Sequence, residues 1–156
     1  MSAERGLTRT SLLARALLPA LWMGLVIGIS FLEAPLKFQA PGITTELGLG
    51  IGRLVFQAAN ISGVVLLLLL TVASIRPRVP RFDAVVLLGL WLVLAIQILG
   101  IRPPLNARTD ILLAGGDPGP SALHYLYIAA DVVLLVLLAI AAIRAARALL
   151  DRPAPR

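Results

Sequence analysis

The 156 residues are 59% apolar and only 14% charged, where an ordinary soluble domain carries about a quarter charged residues. Fourteen basic and eight acidic side chains, a net charge of +6, are too few to cover the surface that a soluble core of this length leaves facing water. This excludes a soluble enzyme, a disordered tail and a disulfide-rich secreted scaffold, and the absence of cysteine excludes thiol catalysis and thiolate metal sites.

A membrane-crossing helix needs about 20 apolar residues. The first such run occupies about 16–33, fenced by Arg15 and Glu33. No small-x-small cleavage site follows it, so it reads as a retained anchor rather than a signal peptide. Inside it, Gly24 and Gly28 have the small-xxx-small spacing that lets helices approach closely, within the chain or in a dimer. At its end Glu33 and Lys37 stand four apart, the spacing of a helical ion pair, and Glu33 is also a candidate partner for Arg53 or Arg102. Gly48, Gly50 and Gly52 imitate a dinucleotide fingerprint, but no strand precedes them. That stretch reads as a flexible lead-in to the second run.

The second run occupies about 54–75. Arg53, Gln57 and Asn60 share one helical face, and Asn60 lies about 10 Å inward of Arg53 at 1.5 Å per residue. Pro77 and Pro80 then enforce a tight turn. The third run occupies about 84–101 and carries Gln97. Pro103 and Pro104 are expected to end it, and Arg102, Asn106 and Arg108 then stand where an anion could be held. A salt bridge between Arg108 and Asp110 is the structural alternative.

The fourth run occupies about 123–146. His124, Tyr127 and Asp131 recur at i, i+3 and i+7, on one face. Asp131 lies roughly 12 Å deep, where an ionisable group costs about 2.5–3.5 kcal/mol. Expected partners are the Tyr127 hydroxyl and Asn60, which sits at similar depth.

Together these runs predict an all-α fold, a single domain over 1–156 forming a four-helix transmembrane bundle. Arg5, Arg9, Arg15, Arg76, Arg78, Arg81, Arg144, Arg147, Arg152 and Arg156 fall on one side, ten in all. Lys37, Arg53, Arg102 and Arg108 fall on the other. Positive charge stays inside, so both termini are expected to be cytoplasmic. Thirteen arginines to one lysine fit a GC-rich bacterial genome and hence a bacterial inner membrane. The charge is then addressed to anionic membrane lipid and not to nucleic acid. The polar groups gather in the outer half beside Phe31, Phe38, Phe56, Tyr125 and Tyr127, while the inner halves of helices two and four read as nearly pure hydrocarbon. That pattern predicts an outer pocket for a lipid or small amphipathic molecule rather than a channel. A single histidine leaves no multi-histidine metal site or bis-histidine haem, and no cofactor is expected.

Several short stretches carry a family likeness: Leu21-Trp22-Met23-Gly24, the FLEAPLKF segment from Phe31 to Phe38, Gly52-Arg53-Leu54-Val55-Phe56 with Asn60, Pro104-Leu105-Asn106-Ala107-Arg108, and His124-Tyr125-Leu126-Tyr127. In this order they resemble small bacterial four-helix integral membrane proteins to which no activity is attached. The Pro-Asn-Arg segment is similar to one in anthrone-oxygenase-like membrane proteins. The resemblance implies a four-helix membrane protein, and no oxygenase role is carried over to Asn106 or Arg108.

Two rival functions accompany the binding reading. One is a metal-free membrane enzyme acting on an apolar substrate, with Asp131, His124 and Tyr127 moving protons. The other is a structural subunit that joins a second copy or another membrane protein through Gly24 and Gly28.

Overall fold

The computed structural model describes residues 2–76 and 78–151, with side chains from Arg9 onward. The Arg5 side chain, Pro77, Arg152 and Arg156, which enter the charge count and the turn reading, lie outside the described residues. Four helical rods follow one another. The first joins α1 (Ser2–Val26), a π-helical segment (Ile27–Glu33), the short α2 (Ala34–Leu36) and a 3₁₀ turn (Lys37–Gln39). The second is α3 (Thr45–Ile75). The third joins α4 (Arg81–Ala95), a second π-helical segment (Ile96–Ile101) and α5 (Arg102–Leu113), and the fourth is α6 (Leu123–Leu150). All four rods are long and apolar enough to cross a membrane.

Each rod packs on its two neighbours in ring order: the first on the second and fourth, the third likewise. This is an up-down-up-down bundle. The start of α1, the end of α6 and the described residues between α3 and α4 lie at one end, called here the terminal end. The connections at 40–44 and 114–122 lie at the other, the loop end.

One apolar residue per turn faces the axis: Val86, Leu90 and Leu94 on α4, Leu134 and Leu138 on α6, Leu67 and Leu70 on α3, as a 3.6-residue period requires. Trp22 completes this core. It fits because position 63 is glycine: a Cβ there would stand 3.0 Å from Trp22 Cζ2. The outward faces are also apolar, with Leu17, Leu54, Val72, Val85 and Leu99 all exposed. Only 17–28% of each rod's most apolar stretch is buried inside the bundle. Helices that are hydrophobic all round need an apolar surrounding, so this surface is compatible with a membrane protein.

The rods outrun the expected spans. The first continues to Gln39, the second starts at Thr45 rather than 54, the third ends at Leu113 rather than 101, and the fourth ends at Leu150 rather than 146. The glycines at 48, 50 and 52 are therefore helical, not a flexible lead-in. Thr44 starts α3, its Oγ1 accepting a hydrogen bond from the Leu47 amide at 3.2 Å, which satisfies one of the orphan donors of a helix start.

Pro103 and Pro104 do not end the third rod. A proline ring clashes with the carbonyl four residues back, and the π-helical segment just before them widens the ladder. The Arg102 amide bonds the Gln97 carbonyl, five back. The same device stands before Pro35, where the Ala34 amide bonds the Ile29 carbonyl. The third rod stops instead at Gly115, whose φ of 79° allows the paired bonds from the Gly115 amide to Leu112 and from the Gly116 amide to Ile111, a Schellman ending.

The terminal end is not pure hydrocarbon. Arg15, expected as a boundary charge, is 8% exposed, and its Nε donates to the Ala73 carbonyl at 2.9 Å. The Ser11 hydroxyl donates to the Arg76 carbonyl, and Arg144 pairs with Asp83 at 2.5 Å. The last carbonyls of α3 have no partner within their helix and form the negative end of its dipole, so a cation and a hydroxyl from the first rod complete them. Within the bundle, Trp91 Nε1 donates to Thr71 Oγ1 at 3.1 Å.

Candidate functional site

A cleft of about 460 Å³ opens at the loop end, walled by all four rods. Ser30, Phe31, Lys37 and Phe38 come from the first rod, Gly48, Gly52, Arg53 and Phe56 from α3, Arg102 and Asn106 from α5, and His124 from α6. The helical glycines make room for the first rod. A Cβ at Gly48 would collide with the Phe38 ring, and one at Gly52 would come within 2.7 Å of Lys37 Nζ. Sequence reasoning missed this role, although the i, i+4 spacing of Gly48 and Gly52 on one helical face was its signal.

The charges of the cleft divide unevenly. Lys37 pairs with Glu33 at 3.3 Å, so Glu33 meets neither Arg53 nor Arg102. Arg53 grips both oxygens of Asp110, at 2.5 and 3.2 Å. The expected Arg108–Asp110 bridge is therefore absent. The longer α5 carries Asp110 to the second rod, and Arg108 instead donates to the carbonyls of Pro118 (3.1 Å) and Gly119, tying down the 114–122 connection.

Arg102 is 8% exposed. Its Nη2 donates to the Arg53 carbonyl at 3.2 Å, and its guanidinium carbon lies 5.8 Å from the Phe56 ring centroid. Lys37 Nζ lies 5.8 Å from the same centroid. Both distances are within cation–π range. No carboxylate pairs with Arg102 among the described residues. With the Lys37 and Arg53 charges matched by Glu33 and Asp110, the cleft keeps one unmatched positive charge on a guanidinium, a group shaped for bidentate grip on carboxylate or phosphate.

Below the cleft floor lies a second layer. Phe56 and Tyr127 meet edge to face, ring centroids 5.4 Å apart. The Tyr127 hydroxyl donates to Asn60 Oδ1 at 3.1 Å, and Gln97 Nε2 donates to Asp131 Oδ1 at 2.7 Å. Asn60 and Asp131 do not bond each other, nor does Tyr127 reach Asp131 as expected. The two residues do lie at one level and line one small void. Equal depth leaves open which way each side chain turns about its helix, and the neighbouring tyrosine and glutamine take the bonds.

The face expected to unite His124 with Tyr127 and Asp131 is split. Tyr127 and Asp131 are buried, whereas His124 is exposed at the cleft rim and packs its ring against Tyr125. Seven residues span almost two turns, so the rim and the core are reached by the same face at different depths. Gln57 is exposed and joins neither layer. A Cβ at Gly24 or Gly28 would have no neighbour within 4 Å among the described residues. Their flat strip faces outward because Trp22 and Val26, one residue per turn away, take the inward face.

No family model, no curated protein and no solved structure matches this chain. The likeness read from short motifs thus rests on those motifs alone.

Proposed function

We propose that this is a membrane protein that binds a small amphipathic molecule through its anionic group, in the cleft at the loop end. The single observation that carries the reading is Arg102, buried in a 460 Å³ cleft with no carboxylate partner among the described residues. A buried guanidinium is costly unless a partner compensates it, and a ligand carboxylate or phosphate is such a partner. Phe31, Phe38 and Phe56 supply an apolar wall beside it, as ligand sites require. The lopsided arginine count supports a topology with both termini cytoplasmic and the cleft in the outer leaflet, and the arginine-rich composition supports a bacterial inner membrane. His124 stands too far from the buried Asp131 layer for the two to form one acid–base site, so binding is favoured over catalysis.

Native mass spectrometry of the detergent-solubilised protein with added phosphatidylglycerol or phosphatidylcholine tests this. Retention of the anionic lipid, and its loss in Arg102→Gln with helix content unchanged, is the expected result. Equal retention of both lipids, or equal retention by the variant, would overturn the reading.

A further inference from the structure

All four rods converge on Asp131, which is 3% exposed. Its Oδ1 is held by Gln97, itself 1% exposed. Its Oδ2 is buried with no hydrogen-bond partner. The Ser30 hydroxyl also faces the carboxyl group, but no cation pairs with it among the described residues, and a buried ionised carboxylate is unfavourable unless it is both paired and hydrogen-bonded. Asp131 lines a void of about 20 Å³, enough for one water-sized particle, which needs about 10–15 Å³. The oxygen-bearing side chains around it are Ser30, Asn60, Gln97, Tyr127 and Asp131, at least one from each rod.

The backbone points to the same place. Ser30 lies within the first π-helical segment and Gln97 within the second. Such segments interrupt the regular ladder and recur at functional sites. The following prolines account for where each one ends. They do not account for why two of them, in rods that are not neighbours, present side chains to one carboxylate.

We infer that this void is a binding site for one small monovalent cation, sodium by size and donor chemistry, anchored on the unpartnered oxygen of Asp131. A water molecule would fill the hydrogen bond but leave the charge. A divalent ion would exceed the single carboxylate by one charge. An all-oxygen donor set suits a hard cation and not a transition metal. The void shares Ser30 and Phe56 with the cleft, so it adjoins the cleft floor. The inference does not depend on what occupies the cleft.

Trp22 lines the void, and Trp91, the other tryptophan, is bonded to Thr71. In a Trp91→Phe background Trp22 is the sole tryptophan, and its fluorescence reports the site. The purified protein is titrated with NaCl at fixed pH, with choline chloride holding ionic strength constant. A saturable change with sodium is expected, together with a rise in Tm of about 2–4 °C at about five times the Kd. Asp131→Asn abolishes both. Ser30→Ala, which keeps the carboxylate and serves if the first variant does not fold, weakens the apparent affinity about tenfold. Identical curves in sodium and choline would overturn the inference, as would a Tm that follows pH and ignores sodium.

Discussion

Arg15 in the first rod donates its Nε to the Ala73 carbonyl near the end of the second, 2.9 Å away. The contact joins a buried cation to the negative end of a 31-residue helix. Arg15→Met keeps the apolar stem, removes the donor and takes the partner from a half-buried carbonyl. A loss of about 1.5–3 kcal/mol is expected, the range for a hydrogen bond from a charged group. Thermal unfolding in detergent followed by circular dichroism measures it, and an unchanged midpoint would mean that the carbonyl finds water instead.

The glycines separate into two kinds. Gly63 faces Trp22 at contact distance, whereas Gly24 and Gly28 face open space. Gly63→Val should force the first two rods apart and cost about 1–3 kcal/mol by overpacking. Gly24→Leu with Gly28→Leu should leave the folded monomer as stable as before. If a second copy docks on that strip, the double variant lowers the detergent-solution mass at equal stability, and an unchanged mass argues against such docking. Analytical ultracentrifugation reads the mass, and the same melts read the stability.

Tyr127 and Asn60 are 67 residues apart and joined by one hydrogen bond. Tyr127→Phe preserves the edge-to-face packing on Phe56 and deletes only the hydroxyl. A double-mutant cycle with Asn60→Ala should give a coupling of about 0.6 kcal/mol and no more than about 2 kcal/mol, as for polar pairs within membrane bundles. A coupling indistinguishable from zero would show that the bond contributes nothing to stability.

The four rods were legible because long apolar runs between charges have few other solutions. Their ends were not. Gly48 to Gly52 and Pro103-Pro104 carry the local marks of chain breaks, yet both stretches are helical. Tertiary context decides there: Lys37 and Phe38 need the bare surface of Gly48 and Gly52, and a widened ladder absorbs the prolines. The membership of the polar site was partly legible. Asp131, Gln97, Asn60, Tyr127 and Arg102 are conspicuous in apolar surroundings, and the structure buries or half-buries all five. Their pairing was not legible, because spacing along one helix gives depth but not rotation relative to another. The Arg53–Asp110 pair illustrates this: it required a helix longer than hydropathy alone suggests.

The third rod runs for 33 residues, about 50 Å at 1.5 Å per residue, against a hydrocarbon layer of about 30 Å. If the rod crosses a bilayer as proposed, with the cleft toward its outer face, roughly four turns of it overhang the oily slab, and α5 with Arg102, Asn106 and Asp110 would belong to that overhang. The cleft then rides at head-group height on a parapet whose elevation is set by lipid chain length. Thicker membranes would draw the guanidinium down among acyl chains, so bilayer thickness itself becomes a control on the site.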